Sequence, residues 1–391
     1  MKLLLIKIGK AWHILRRDGV KRGGRRIVTA FMALFQRVHA GHVLFITGGV
    51  GDSARYRTAY VAETLSLRGF KTAVTVQDNP FLTRYADKFS IFIFHRVLYT
   101  PSVATLIGNI KKANKEMIFE TDDLVYDPTF LKHMDYFTKM NALERKLYEN
   151  GVGGEILADP YLRVCTTSTN FLAEKLREKG KRVFVVRNRM SQEDVAQAEK
   201  ILAGVQKKDP SSVNIGYLSG TPSHNKDFAT ITEALTQVLE RYPEARLILV
   251  GPLDTNNALR QFGERVEQLP FMPRAQYFAT VATLDINLAP LEIGNPFCEA
   301  KSELKWFEAG LLEVPTVASA TATFREAITE GVDGYTASTT EEWAEKIGAL
   351  IADTGLRQRM GKQARASVLA HYTTANAQDQ EYYNYLKSKI V

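Results

Sequence analysis

Lys301, Ser302 and Glu308 lie within one stretch, EAKSELKWFEAGLLEVPTVAS, running from Glu299 to Ser319, and together they offer the groups that handle an activated phosphate ester. The spacing of Leu304, Phe307, Leu311 and Leu312 predicts a helix over 300–312, followed by a turn at Glu313-Val314-Pro315 and a buried strand Thr316-Val317-Ala318-Ser319. A helix leading into a Val-rich strand is half of a parallel α/β unit, where ligands gather at strand carboxyl ends and helix N-termini. The first turn of such a helix presents free N–H groups and a positive dipole end, to which Lys301 and Ser302 add an ammonium and a hydroxyl. That is a setting for a phosphorylated ligand. Seven residues after Lys301, Glu308 falls on the same helix face, where its carboxylate accepts the hydroxyl protons of a ribose. The same letters also fit an ordinary amphipathic helix with solvated Lys and Glu, so the remaining motifs decide between the two.

Three further constellations could do chemistry. After a predicted strand Val213–Leu218, the loop Ser219–Lys226 places Gly220 and small polar residues before a helix, with His224 and Lys226 adding charge, an anion-binding arrangement. After a predicted strand Val43–Thr47, GGVGDSARYR contains a GxGxxA, with Gly51 followed by Arg55 and Arg57. Read as a dinucleotide fingerprint it would use Asp78 as the ribose acid, 27 residues past Gly51 and somewhat late. Finally, a strand ending Phe119-Glu120-Thr121-Asp122-Asp123 crowds three acids into four positions, which raises at least one pKa unless a cation pairs with them. Asp122 and Asp123 could position a substrate hydroxyl, accept its proton, bind a cation, or simply cap a helix. His95, before Arg96 at the end of another strand, is either a site histidine or a satisfied core one.

A chain of 391 residues, 45% apolar and 24% charged, fits two globular domains. Two cysteines and scattered histidines form neither a disulfide framework nor a metal motif, and a reducing compartment is expected. The net charge of +8 is concentrated: residues 1–42 carry ten Lys/Arg and one acid, so the rest of the chain is near neutral, which argues against a nucleic-acid groove. In that segment the apolar runs are too short to span a bilayer and lack a cleavage pattern. Two amphipathic basic pieces, broken at Gly23-Gly24, suit an anionic membrane surface bound through residues 1–40.

Strands are predicted at 43–47, 71–76, 90–94, 117–120, 164–167 and 183–186, and again at 213–218, 246–250, 284–288 and 316–319, with helices between them. The organisation read from this is a basic N-terminal segment 1–42, a first α/β domain 43–190, a second 191–372, and a final helix 373–391.

From Glu299 to Ser319 the chain resembles the nucleotide-sugar loop of the retaining GT-B glycosyltransferases, whose E-x7-E signature precedes a small-residue turn and a P-V-V-A-S-like strand; Glu308, Pro315, Val317, Ala318 and Ser319 match. The resemblance implies an α/β fold of two Rossmann-like domains facing a cleft, with the donor nucleotide on the C-terminal domain, the acceptor on the N-terminal one, and the last helix crossing back to the first domain. It implies that Glu308 holds the donor ribose and that Lys226 matches the lysine of a basic pair on the diphosphate; the arginine expected near Gly220 is missing. Ala300 stands where the first Glu belongs, so Glu299, Lys301 or Ser302 must take its part. On the acceptor side it implies that Gly51, Arg55 and Arg57 meet the acceptor and its phosphate, and that Asp122, Asp123 and His95 serve catalysis. No metal or cofactor is implied beyond a nucleotide-diphosphate sugar as substrate. With the basic N-terminus, the expectation is a hexosyltransferase acting with retention on a saccharide or lipid-linked acceptor. Its place would be bacterial surface polysaccharide or lipopolysaccharide assembly, peripheral at the cytoplasmic face of the inner membrane. Two rivals stay open: an inactive nucleotide- or glycan-binding scaffold, and an NAD-dependent oxidoreductase or epimerase resting on the first loop.

Overall fold

The computed structural model describes residues 19, 23–24, 27–28, 31–35, 37–134, 137, 140, 142–148, 151–204, 211–220, 225–254 and 257–390. They form two α/β units. One contains the described residues up to Lys132, those from 137 to Arg189, and those from Gln378 onward; the other contains the described part of 133–136 and Met190–Ala377.

The first unit is built on a six-stranded parallel sheet of β1 (Val43–Thr47), β2 (Thr72–Val76), β3 (Ile91–His95), β4 (Glu116–Thr121), β5 (Val164–Thr167) and β6 (Arg182–Val185), in the order β2-β1-β3-β4-β5-β6. β1, β3 and β5 are buried along their whole length, the mark of strands covered on both faces, and the apolar runs of β1 and β3 made those two readable from sequence. Val43, Phe45, Ile91, Ile93, Ile118 and Phe184 form the core with Tyr382, Tyr383 and Leu386 of the C-terminal helix Gln380–Lys387. The chain therefore returns to its first unit at the end, as the resemblance implied. The return is held by Arg189, paired at 2.8 Å with Asp379.

The second unit repeats the plan with β7 (Val213–Leu218), β8 (Ala245–Val250), β9 (Val266–Leu269), β10 (Ile286–Ala289), β11 (Thr316–Ser319) and β12 (Tyr335–Ala337), ordered β12-β11-β10-β7-β8-β9 and parallel throughout. Its entry and exit segments are bound together, Met190 N–H donating to the Tyr372 carbonyl at 2.7 Å and Thr374 N–H to that of Met190 at 2.9 Å. β9 and β12 were not anticipated. Both are edge strands, one with its two middle residues exposed and the other three residues long, and neither carries an alternating or continuous apolar signal.

Each sheet has one place where successive crossovers leave in opposite directions. In the first unit it lies between β1 and β3, whose ends Thr47 and His95 are in register; in the second it lies between β7 and β10. The crevice beyond the strand carboxyl ends at such a switch point is where α/β sheets receive ligands.

The helix expected over 300–312 is broken. Pro296–Glu299 forms a short helix capped by Asn295, which accepts from Phe297 N–H at 3.0 Å, and a second helix spans Leu304–Leu311. Residues 300–303 are the non-helical joint, so Lys301 and Ser302 precede the helix of Glu308 and do not share its face. Helix Leu304–Leu311 lies tight against helix Thr354–His371: a Cβ added at Gly310 would come within 3.1 Å of Val368 Cγ2 and 3.2 Å of Ala364 Cβ. Tyr372 stacks on Phe307 with ring centroids 5.3 Å apart.

The structure corrects the role expected of Arg57. Its side chain is fully buried in the first unit, donating to both Glu120 oxygens (2.8 and 3.0 Å), to the Val186 carbonyl (2.6 Å) and to Asn188 Oδ1 (2.9 Å), so it braces β4 and β6 and does not meet an acceptor phosphate. Breaking a buried ion pair from one side leaves the other charge stranded. Arg57→Met should lower the stability of the first unit by about 3–5 kcal/mol, read as an earlier urea transition; an unchanged midpoint would contradict this reading.

Candidate functional site

At the switch point of the first unit, β1 runs into Gly48-Gly49-Val50-Gly51 and a helix that opens with Asp52–Ala54, makes a π-helical turn over Arg55–Ala59 and continues as Tyr60–Leu67. Such π turns are frequent at functional sites. The glycine at 48 is required, since a Cβ there would lie 1.9 Å from the Arg96 carbonyl oxygen. Arg96 itself sits at φ 48°, a left-handed conformation costly for a non-glycine residue. What holds it there is charge: its guanidinium donates to Asp122 Oδ1 at 2.7 Å and to Asp123 Oδ2 at 3.3 Å.

The three acids therefore part company. Glu120 points inward to Arg57, Asp123 also caps the short turn Leu124–Tyr126 by accepting from Leu124 N–H at 2.8 Å, and Asp122 meets Ser53 in the helix that follows the glycine loop. Ser53 Oγ donates to Asp122 Oδ2 at 2.8 Å and lies 3.0 Å from His95 Nε2. Because the serine proton goes to the carboxylate, its oxygen accepts from Nε2–H, so His95 is the neutral Nε2 tautomer and Ser53 is not activated as a nucleophile. Burial, the largest effect, pushes the imidazole pKa down to about 3, helped by the charges of Arg96 and Arg57 against the pull of Asp122. Burial also opposes ionisation of Asp122, but the charges of Arg96 and Arg57 and the Ser53 hydrogen bond outweigh it and hold that carboxyl below the usual range. A carboxylate so stabilised is a poor proton acceptor, which corrects that part of the expectation; it remains a fixed hydrogen-bond acceptor. Gly51 and Arg55 lie at the rim, with Arg55 paired to the exposed Asp52 at 2.6 Å.

At the switch point of the second unit, the expected donor residues are drawn together from separate stretches. Asp227, next to the exposed Lys226, is buried and accepts from Glu292 N–H and Cys298 Sγ–H, both at 3.1 Å, joining the short helix Asn225–Ala229 to the segment after β10. Glu299 Oε1 accepts from Gly294 N–H at 3.1 Å and so closes that second loop upon itself. Lys301 and Ser302 are half-buried in the joint before helix Leu304–Leu311, and Gly220 is exposed at the end of β7. His224 lies outside the described residues. Glu308 is 4% exposed, with Arg274 donating to Oε1 at 3.0 Å and the Tyr277 hydroxyl to Oε2 at 2.7 Å. Arg274 is in turn held by both oxygens of Asp194, at 2.7 and 3.0 Å.

Sequence reasoning missed Lys305. Its ammonium donates to the carbonyl of Leu218, the last residue of β7, and lies 5.0 Å from the Tyr217 ring centroid; burial lowers its pKa against the pull of Glu308 and Asp227. Its place three residues before Glu308 was the available signal. Arg274, Tyr277 and Asp194 gave none. Among the described residues no cluster of His, Cys, Asp or Glu is arranged to hold a metal ion.

Residues 230–380 match the family model described as glycosyl transferase-like. No curated protein matches the chain in sequence. Among solved structures it is similar to a glycosyltransferase from Rickettsia africae ESF-5 (TM-score 0.60, 14% identity, covering 89% of this chain and 98% of that one). It is also similar to HepE of Anabaena in complex with UDP and glucose (0.58, 14%, 89% and 100%) and to sucrose-phosphate synthase from Thermosynechococcus elongatus (0.56, 15%, 88% and 99%). At these identities the likeness is one of fold.

The depressed His95 pKa has a stability signature. Between the unfolded value near 6.5 and the folded value of about 3 the unfolded chain binds the extra proton, so stability falls as pH drops through that window and is complete above it, with a slope of up to about 1.4 kcal/mol per pH unit. His95→Gln should flatten this slope in urea titrations run between pH 7 and pH 4; a slope unchanged by the substitution would contradict the buried neutral imidazole.

Proposed function

We propose that the chain, whose residues 230–380 match a glycosyl transferase-like family model and whose two α/β units share the fold of GT-B glycosyltransferases, transfers a sugar from a nucleoside-diphosphate donor held by the second unit to an acceptor hydroxyl bound by the first. The observation that carries this reading is Glu308, a carboxylate clamped by Arg274 and Tyr277 on the helix that follows the β7/β10 switch point. In this reading it accepts the ribose hydroxyls, while the amides around Gly220 and the groups of Lys226, Lys301 and Ser302 face the two phosphates. Stabilising the departing diphosphate lowers the barrier to breaking the glycosidic bond. The acceptor attacks on the face the diphosphate leaves, the leaving phosphate takes the acceptor's proton, and the configuration at the anomeric carbon is retained. This course asks no proton transfer of Asp122, which agrees with its ion pair to Arg96; Asp122 and His95 would orient the acceptor.

The first unit's crevice holds Asp122 and Asp123 against Arg96, while Arg57 is buried and Arg55 is paired, a balance that suits sugar hydroxyls better than an acceptor phosphate. An oxidoreductase has less support: the strand order of a dinucleotide-binding sheet belongs to the second unit and not to the unit carrying GGVGDS.

We place the acceptor at a membrane, as a lipid-linked saccharide of bacterial surface-polysaccharide or lipopolysaccharide assembly. No helix among the described residues is long and apolar enough to cross a bilayer. Val28, Phe31, Met32 and Phe35 are nevertheless exposed within the strongly basic segment, which fits apolar insertion into an anionic leaflet at the cytoplasmic face.

Incubating the protein with a panel of nucleotide sugars, with and without lipid-linked saccharides, should release nucleoside diphosphate from one donor and label one acceptor. Binding without turnover would favour the scaffold, and stabilisation by NAD alone the oxidoreductase. Glu308→Ala should weaken nucleoside-diphosphate binding by about 1.5–3 kcal/mol in calorimetry; unchanged affinity would remove Glu308 from the site. In flotation with phosphatidylglycerol vesicles, replacing Phe31, Met32 and Phe35 by Ser should abolish co-migration, and undiminished binding would end the membrane assignment.

A further inference from the structure

The second unit carries a groove of about 430 Å³, within the range of small-ligand sites, on one face of β7, β8 and β9. It begins at Asn214 and Arg246, near the amino ends of their strands, whereas the switch-point crevice lies at the carboxyl ends of β7 and β10. Strand register sets its floor: Asn214 stands beside Arg246 and Ile248 beside Glu267, which puts these residues and Leu269 on the same face of the sheet. The opposite face is sealed, because helix Thr232–Arg241 packs Leu235, Val238 and Leu239 against Leu247 and Leu249. On the groove side, the Arg274–Glu308 ion pair draws helix Arg274–Ala282 toward helix Leu304–Leu311. Its Thr280, with Thr283 just beyond the helix, therefore makes a wall beside the strands and does not roof them. Asn214 Nδ2 donates to the Thr283 carbonyl at 3.3 Å and closes one end. Ile248 and the half-buried Leu269 give an aliphatic surface flanked by the exposed Arg246 and Glu267. Among the described residues neither of these charged side chains makes a hydrogen bond or an ion pair.

This lining selects a class of ligand. A phosphate on Arg246 would also face Glu267, and a cation on Glu267 would face Arg246. An acyl chain or an apolar helix would take both charges out of water without pairing them, at high cost. A neutral polyhydroxylated ring suits both: one hydroxyl accepts from the guanidinium, another donates to the carboxylate, and the C–H face of the ring rests on Ile248 and Leu269. We propose that this groove is a binding site for a neutral saccharide and holds a stretch of glycan on the second unit outside the donor crevice. The site is separate from the donor and acceptor positions of the proposed function and does not rest on them.

The test titrates the full chain with maltotetraose, cellotetraose and tetra-N-acetylchitotetraose, and with tetragalacturonic acid as an anionic counterpart, by calorimetry and saturation-transfer NMR. At least one neutral saccharide should bind saturably, and tetragalacturonic acid should bind more weakly. Arg246→Ala and Glu267→Ala should each raise the Kd of the neutral ligand roughly ten-fold or more, the range expected for a charge-assisted hydrogen bond. Glu267→Ala should also admit tetragalacturonic acid. Ala279→Trp, which adds bulk to the groove from an exposed position on its helix wall, should abolish binding. Saturable binding of no neutral saccharide, a wild-type preference for the anionic one, or affinity unchanged in all three variants would each overturn the proposal. Sedimentation of the same proteins addresses the rival occupant: if the substitutions dissociate a wild-type dimer, the groove is an interface between copies of this chain and the saccharide site falls. Thermal melts complete the set, since affinity lost only where the melting temperature falls also overturns the assignment. Nucleoside-diphosphate binding, measured separately, decides the donor reading and is independent of every one of these outcomes.

Discussion

A carboxylate at 4% exposure is tolerable only when donors replace the water it has lost, and Glu308 meets that condition with a guanidinium on one oxygen and a phenol on the other. The guanidinium would itself be an excess charge were it not shared with Asp194, so three segments distant in sequence are locked by one network. Such locking does two things. It removes the rotamer freedom of a side chain that a ligand would otherwise have to freeze, and it fixes the helix Leu304–Leu311, and with it Lys305, against the end of β7.

Charge pairing at strand ends governs the first unit too, with a different result. Arg57 and Glu120 neutralise each other inside the fold and act as a brace, whereas Arg96 balances Asp122 and Asp123 at the crevice in a backbone conformation that the pairing itself sustains. The histidine between them stays neutral chiefly because it is buried, and because the charges of Arg96 and Arg57 repel a second proton. One unit thus gathers hydrogen-bond acceptors and a neutral ring, suited to polyhydroxylated ligands. The other gathers lysines, amides and a carboxylate clamp, suited to a nucleotide and its phosphates.

Most strands were legible because their residues are buried on both faces and so read as unbroken apolar runs, as in Val43–Thr47 and Val213–Leu218. Edge strands β9 and β12 escaped because exposure erases that pattern. The broken helix at 300–303 was masked by a helical apolar period that continues across the joint, while Asn295 and Pro296 had already started and ended a separate turn. Glu308 was singled out by the local motif, but Arg274, which holds it, is 34 positions away and Asp194 another 80 from Arg274, separations at which no periodicity speaks. Arg57 misled for the converse reason. It sits in the glycine-loop motif, yet its side chain faces the core, and only the fold reveals which way a residue at the start of a helix points.

In the proposed function, the second unit's switch point grips the two phosphates of an activated sugar. Crystals of the full chain soaked with its nucleoside diphosphate measure this directly. The phosphates should lie within hydrogen-bonding distance of the backbone near Gly220 and of Lys301 and Ser302, with the ribose hydroxyls on Glu308. A nucleotide seated instead on the glycine loop of the first unit, or one that does not touch Glu308, would contradict the account.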